Sequence, residues 1–582
     1  MEHRHPTTSV NTLDRIIHAA EGKITAGISP TSMMLAYMDW AIHLANSPGK
    51  QGELVKKAIK KNSRFLSYVV KRLTYLGSDV DNEYCIEPLP QDKRFESDAW
   101  KTLPFSLYAQ SFLLTQQWWH NAIGGVHGVS KHHENVVSFT TRQLLDVISP
   151  SNFLITNPDL LLVTVQEGGM NLVRGTQNFL EDWERNQSGA GPVGVESFQV
   201  GRNLAITAGK VIYSNRLIEL IQYSPTTEKV YAEPILFVPA WIMKYYIMDL
   251  SEQNSMVKFL VDQGHTVFMI SWKNPTETDR DLGLESYIDL GVMAALKEVL
   301  SIIPDQKIHT VGYCLGGTLL TLAATALAKE EHTPIGSMTL LAAQTDFSEA
   351  GELMLFTDYS QVAYLEDMMW DQGYLDTKQM AGAFQLLRSN DLIWSKVLHD
   401  YLMGRRAEMN DLMAWNSDAT RMPYRMHSEY LEQLFMNNDF SEHRYRVHGK
   451  SVSLGDIRCP LFVVGAEKDH VAPWKSVYKI KSLTRTDVTF LLASGGHNAG
   501  IISEPGHPRR HYRTSLKRGE DKYIAPDKWF ETIPLQEGSW WLEWQRWLDG
   551  QCKQKLSPPE MGGNKGAAHL LADAPGRYVL EG

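Results

Sequence analysis

"VGYCLGGTLL", residues 311–320, sets a cysteine between two glycines, with a β-branched apolar run before it and a small-residue, helix-forming run after it. Gly312, Tyr313, Cys314, Leu315 and Gly316 make G-x-C-x-G, the spacing of a nucleophile elbow with a thiol in place of the usual hydroxyl. In such a turn the central residue is held in a strained backbone conformation, and the flanking glycines let strand and helix approach closely. The side chain then meets the positive end of the helix dipole, which favours a thiolate. The same five residues also suit a small buried cysteine at a strand end. An acid and a histidine further along, in the order nucleophile, Asp or Glu, His, separate the two readings.

Both follow. "PLFVVGAEKDHVAPW" places Asp469 just past a strand-like run, and "VTFLLASGGHNAG" places His497 in a glycine-rich loop past the next one. Taken singly, Asp469 reads as a turn residue and His497 as a satisfied loop histidine; three such residues in this order after three strands read as a triad. His470, beside Asp469, competes with His497 but lacks its position after the last strand of the series.

The rest of the chain supplies the sheet that this reading needs. "PILFVP" (234–239), "TVFMIS" (266–271), "IHTVGY" (308–313), "SMTLLAA" (337–343), "PLFVVG" (460–465) and "VTFLLAS" (488–494) are short runs of buried-strand character. Helical patterns such as "SMVKFLVDQG" (255–264) and "LESYIDLGVMAALKEVLSII" (284–303) separate them, so strand and helix alternate and a mainly parallel sheet is expected. Ligands bind at the carboxyl ends of the strands of such sheets, where Cys314, Asp469 and His497 can converge. The predicted fold is therefore α/β, an α/β-hydrolase fold in residues 201–582. It carries a large cap insertion at about 344–455, rich in Met, Tyr and Trp. Residues 1–200 read as a mostly helical amino-terminal domain, as in "TSMMLAYMDWAIHLANS" and "LPFSLYAQSFLLTQQWWHNAI".

Composition narrows the function. A net charge of -10 over 582 residues argues against a nucleic-acid partner, which needs a basic face. No apolar run approaches the roughly 18 residues of a membrane span, and the amino terminus lacks the apolar core of a secretion signal, so a cytoplasmic protein is expected. Cys85, Cys314, Cys459 and Cys552 form no C-x-x-C pair, and no histidine pair has metal-ligand spacing with a carboxylate, so neither metal nor cofactor is expected.

The motifs together resemble the polyhydroxyalkanoate synthases, which polymerise 3-hydroxyacyl-coenzyme A thioesters. The resemblance rests on "GYCLGGT" (312–318), "KDHVAPW" (468–474), "SGGHNAG" (494–500), "FVPAWIMKYYIMDL" (237–250), "SPSNFLITNP" (149–158), "RSNDLIW" (388–394), "WNSDAT" (415–420), "GSWWLEW" (538–544) and the ending "ADAPGRYVLEG". It implies the single-subunit class acting on short side chains such as 3-hydroxybutyryl, a homodimer, attachment to polyester granules, and a share for Asp469 with His497 in activating the 3-hydroxyl during chain growth. Met243, where the family has a small Asn, and Asn498, where an aliphatic residue is usual, depart from its pattern. Leu315, first in the helix after the nucleophile, is the expected oxyanion donor, with a second amide near Ala240 and Trp241. A thiol nucleophile suits a thioester substrate, because acyl transfer exchanges one thioester for another.

Arg509, Arg510 and Arg513 in "GHPRRHYRTSLKRG" (506–519) are read as a solvated basic loop, with coenzyme A phosphates as the alternative ligand. The tryptophans of "GSWWLEWQRWLDG" read as core. Two other functions fit parts of the pattern. A polyester depolymerase or cysteine dienelactone hydrolase would share the triad order, and an inert granule-coating protein would need none of the three residues.

Overall fold

A computed structural model of the chain describes residues 11–74, 84–330, 333–377, 379–380, 393–563 and 570–582. Most of "RSNDLIW", residues 388–392, lies outside them. The chain divides into two units, one of Ile24–Val193 with Ala381–Glu408, the other of Met1–Lys23, Gly194–Met380 and Met409–Gly582.

The first unit is helical. Its helices are α1 (Pro30–Ala45), α2 (Pro48–Thr74), α3 (Phe105–Ile123), α4 (Lys131–Val147), α5 (Pro158–Gln166) and α6 (Met170–Ser188). Their starts are written locally. Ser29 caps α1 ahead of Pro30, the Ser130 hydroxyl accepts from the His133 amide at 3.1 Å at the head of α4, and Asn157 caps α5 ahead of Pro158. Phe95, Trp100, Phe112, Leu113 and Leu145 form a core among them. Residues 397–404, from the middle of the long insertion, belong to this unit because they lie against α6. Asn171 Nδ2 donates to the Leu402 carbonyl at 2.9 Å, and a Cβ on Gly175 would sit 1.8 Å from the Tyr401 carbonyl oxygen.

The second unit is built on an eleven-stranded sheet: β1 (Gly209–Ser214), β2 (Ile218–Tyr223), β3 (Ile235–Val238), β4 (Val267–Trp272), β5 (Ile308–Tyr313), β6 (Ile335–Leu341), β7 (Leu461–Ala466), β8 (Val488–Ala493), β9 (His511–Lys517), β10 (Gln536–Glu537) and β11 (Ala572–Asp573). Their spatial order is β10-β9-β8-β7-β6-β5-β3-β4-β2-β1-β11. The six runs read as strands form β3 to β8. They are mutually parallel and almost wholly buried, as continuous apolar strands covered on both faces must be. Antiparallel strands flank them on both sides. Part of the basic run at 506–519 is one of these, β9, paired with β8. Helix α7 (Leu315–Leu327) follows β5 directly and is buried along nearly its whole length. It can sit that close only because of glycine: a Cβ on Gly312 would lie 2.4 Å from Gly317 Cα, and one on Gly316 would lie 2.1 Å from the Val238 carbonyl oxygen.

Candidate active site

Cys314 stands between β5 and α7 with φ 51° and ψ -125°, the strained conformation the elbow requires, which costs on the order of 1–3 kcal/mol and must be held by its surroundings. Its amide donates to the Leu341 carbonyl at 2.9 Å, and its carbonyl accepts from Gly317 and Thr318 at 2.9 and 3.3 Å. The Cys314 backbone is thereby fixed on both sides while its side chain remains partly accessible.

Asp469 follows β7. One carboxylate oxygen accepts from the Val471 and Ala472 amides at 2.9 and 2.8 Å, the other from His497 Nδ1 at 2.7 Å, and the side chain is 0% exposed. With Nδ1 donating to the carboxylate, Nε2 is the nitrogen left for the thiol, and the charge of Cys314 acts on the ring. Burial pushes the His497 imidazolium toward neutrality, but the charges of Asp469 and Cys314, with the hydrogen bond to Asp469, outweigh it and hold the ring well above the usual histidine range. The structure thus joins His497 to Asp469 by a hydrogen bond and sets the ring where the charge of Cys314 acts on it. His497 is the ring seen on the Asp469 carboxylate.

The histidine loop is anchored from behind. Trp540 and Trp541 are buried, and their indole N–H groups donate to the Gly500 and Ile501 carbonyls, each at 2.9 Å. Trp544 donates to Thr339 Oγ1 on β6 at 3.0 Å. The tryptophans read as core therefore also set the height of His497. Asn498 ties the same loop forward: its Oδ1 accepts from the buried Tyr313 hydroxyl at 2.6 Å, and its Nδ2 donates to Asn416 Oδ1 at 3.2 Å. The Tyr313 ring lies 5.8 Å from the His497 ring.

Leu315 is the first residue of α7, where an amide has no partner inside the helix. The loop after β3 runs beside it, since Gly316 lies under the Val238 and Pro239 carbonyls. Residues that sequence reasoning missed hold this loop. Thr420 Oγ1 donates to the Trp241 carbonyl at 2.6 Å, the Thr420 amide to that of Ile242 at 3.1 Å, and Trp415 Nε1 to that of Lys244 at 2.8 Å. "WNSDAT" and "FVPAWIMKYY" are therefore one structure, closed by a backbone bridge between Met243 and Ala419. Met243 takes part through its backbone, while its side chain packs against the core.

Lys244 is buried, and burial lowers its pKa against the opposing charges of Asp418 and Glu581. Its Nζ donates to the Glu581 carbonyl, while Glu581 Oε2 accepts from the Asn274 amide at 3.1 Å. The family-like ending thus docks beneath the same loop. Only sequence separation hid these contacts.

From the insertion, the buried Tyr430 lies where the charge of Cys314 acts on it. Burial, and then the charge of Cys314, push its hydroxyl well above the usual tyrosine range, and its ring stands 6.5 Å from Trp241 and 6.3 Å from Phe347. Of the three arginines, Arg513 donates to the Ile533 carbonyl at 3.2 Å and lies over the Phe530 ring at 4.6 Å, and Arg510 donates to the Ile502 carbonyl at 3.2 Å. Among the described residues no group of three or more His, Cys, Asp or Glu is arranged to hold a metal, and no helix is long and apolar enough to cross a membrane.

A mixed sheet with a parallel core, a strained G-x-C-x-G elbow after its fifth strand in chain order, and an acid and histidine past two later strands define the α/β-hydrolase class, and the model of the alpha/beta hydrolase fold matches residues 233–503. Two further models, described as the poly-beta-hydroxybutyrate polymerase (PhaC) N-terminus and the poly-beta-hydroxybutyrate polymerase N terminal, match residues 91–260 and 8–50. A poly(3-hydroxyalkanoate) polymerase of Methylorubrum extorquens is 39% identical over 526 residues, covering 89% of this chain and 86% of its own. The polymerase subunit PhaC of Cupriavidus necator is 34% identical over 495 residues, covering 84% and 83%. The chain belongs to the poly(3-hydroxyalkanoate) polymerase family.

Proposed function

We propose that this enzyme joins (R)-3-hydroxyacyl groups, 3-hydroxybutyryl foremost, from coenzyme A thioesters into a polyester through acyl groups carried on Cys314. The observation that carries this reading is the Asp469–His497 hydrogen bond together with a thiol at the tip of a strained elbow. His497 Nε2 takes the Cys314 proton, the thiolate attacks the thioester carbonyl, and the oxyanion is met by the Leu315 amide and an amide of the Ala240–Trp241 loop. The tetrahedral centre collapses, the carbon–sulfur bond to coenzyme A breaks, and the departing thiolate recovers the proton from His497. The acyl group stays activated as a thioester.

For chain growth, the 3-hydroxyl of one acyl group loses its proton to His497 and attacks the carbonyl of another acyl thioester. An ester bond forms as a thiolate leaves. Asp469 acts through the histidine here: one of its oxygens is held by two amides, the other by His497, and neither is exposed. Water would end the chain as a free acid, so the cap residues between 344 and 455, with Tyr430 and Phe347 beside the site, serve to exclude it. The working form is a homodimer on the surface of cytoplasmic polyester granules, with the helical unit available for both contacts.

Purified protein given 3-hydroxybutyryl-coenzyme A, beside Cys314→Ala, tests the reading. Thiol release with growing turbidity, both abolished in the variant, supports it. Thiol release with only free 3-hydroxybutyrate makes the chain a thioesterase.

A further inference from the structure

Helix α2 (Pro48–Thr74) turns one side to its own unit and leaves another apolar side uncovered. Toward α3, Leu54 and Tyr68 are buried, the Leu54 carbonyl accepts from Trp118 Nε1 at 3.3 Å, and Lys57 Nζ donates to Asn121 Oδ1 at 2.7 Å. Away from it, Val55, Ile59, Leu66, Val70 and Leu73 are exposed by 53% to 62%. With 3.6 residues per turn, these five fall within an arc of about 60°, a stripe roughly 27 Å long. Lys56, Lys60 and Arg64, all exposed, occupy an arc of ~80° that begins about 40° beyond it. The helix carries eight Lys and Arg against one Glu, a net +7, so the rest of a chain of net charge -10 carries -17.

That charge decides what covers the stripe. A second copy of the helix would set +7 against +7. A neutral polyester surface would take the apolar residues and make no use of the cations. A lipid surface with anionic headgroups uses both: the stripe enters the acyl boundary, and the flanking cations meet the phosphates, as in helices that lie in a membrane interface. We infer that α2 is an interfacial helix that seats this protein on anionic lipid. The inference goes beyond the polymerase reading and does not depend on it.

Flotation of the full chain with vesicles of phosphatidylcholine, alone or with phosphatidylglycerol, at about 50 mM and about 500 mM NaCl tests it. The expected result is binding about tenfold or more stronger to the anionic vesicles, lost at high salt. Leu66→Asp, and separately Lys56→Glu with Lys60→Glu and Arg64→Glu, should each weaken it about tenfold, with thiol release from the soluble thioester unchanged as the check on folding. Equal, salt-insensitive binding to pure phosphatidylcholine overturns the inference. So does absence of vesicle binding with concentration-dependent self-association that Leu66→Asp abolishes. Binding to duplex DNA that ignores Leu66→Asp, without vesicle binding, makes the cations a polyanion site and overturns it as well.

Discussion

Asp469→Asn separates the histidine's position from its protonation. The amide is nearly isosteric with the carboxylate, and its oxygen can keep the Val471 and Ala472 amides now at 2.9 and 2.8 Å. Its NH₂ group then faces His497 Nδ1, where the carboxylate oxygen stood at 2.7 Å. A donor there makes Nδ1 an acceptor, which moves the ring proton to Nε2 and turns a proton, in place of a lone pair, toward the Cys314 thiol. The corresponding change in a serine-protease triad leaves the geometry intact and lowers kcat about 10⁴-fold, so a loss of roughly 10³–10⁴, or about 4–5.5 kcal/mol of barrier, is expected here.

The pH profile should move as well. Burial disfavours the His497 imidazolium, and the Asp469 charge is the first of the effects that overcome it, so removing that charge lowers the ring's pKa. The alkaline limb of kcat/KM, where the thiolate–imidazolium pair loses its proton, should shift to lower pH. Initial rates of coenzyme A release across pH, on the variant and its parent, measure both effects. A variant within tenfold of its parent, with an unmoved alkaline limb, would refute the assignment of Asp469 as the group that orients and charges His497.

Gly316→Ala places a Cβ 2.1 Å from one carbonyl oxygen and 2.4 Å from another, both in backbone that cannot yield, so soluble yield or activity should collapse, as expression and thiol-release assays will show. Asn498→Leu strands the buried Tyr313 hydroxyl at a cost of about 1–3 kcal/mol in urea unfolding, and adding Tyr313→Phe should recover much of it; strictly additive losses would mean the 2.6 Å contact carries no coupling. His265, His309 and His427 are buried, and burial lowers each to about 4. The unfolded chain therefore binds their protons first, and stability present above about pH 6.5 is lost as pH falls toward 4, by roughly 1.4 kcal/mol per pH unit for each ring. Denaturation midpoints measured from pH 7 to 5 should fall, and a flat profile would contradict the buried neutral rings.

The parts of this protein legible in sequence are those whose physics is local. G-x-C-x-G showed itself because a strand and helix joined at an elbow need glycine at Gly312 and Gly316 for clearance, and the core strands because burial on both faces demands unbroken apolar runs. Asp469 and His497 could be found because each follows such a run. The antiparallel flanks were hidden by mixed composition: β9 is mostly polar, and its Arg513 reads as a loop or ligand contact where it lies against Phe530. The supports of the site were hidden by distance along the chain. Nothing near Trp241 announces Thr420, and nothing near Lys244 announces Glu581; each pairing exists only once the sheet has folded. Tyr430 was one aromatic residue among many in the insertion until the fold packed it against Trp241 and Phe347.

The central claim is that the growing acyl group rides on Cys314. Protein mixed with one equivalent of 3-hydroxybutyryl-coenzyme A, quenched in acid within the first turnover and digested, should yield the peptide carrying Cys314 heavier by one 3-hydroxybutyryl group, sensitive to hydroxylamine and absent from Cys314→Ala. Release of coenzyme A at the normal rate with that peptide unmodified, or with the acyl group on another residue, would contradict the account.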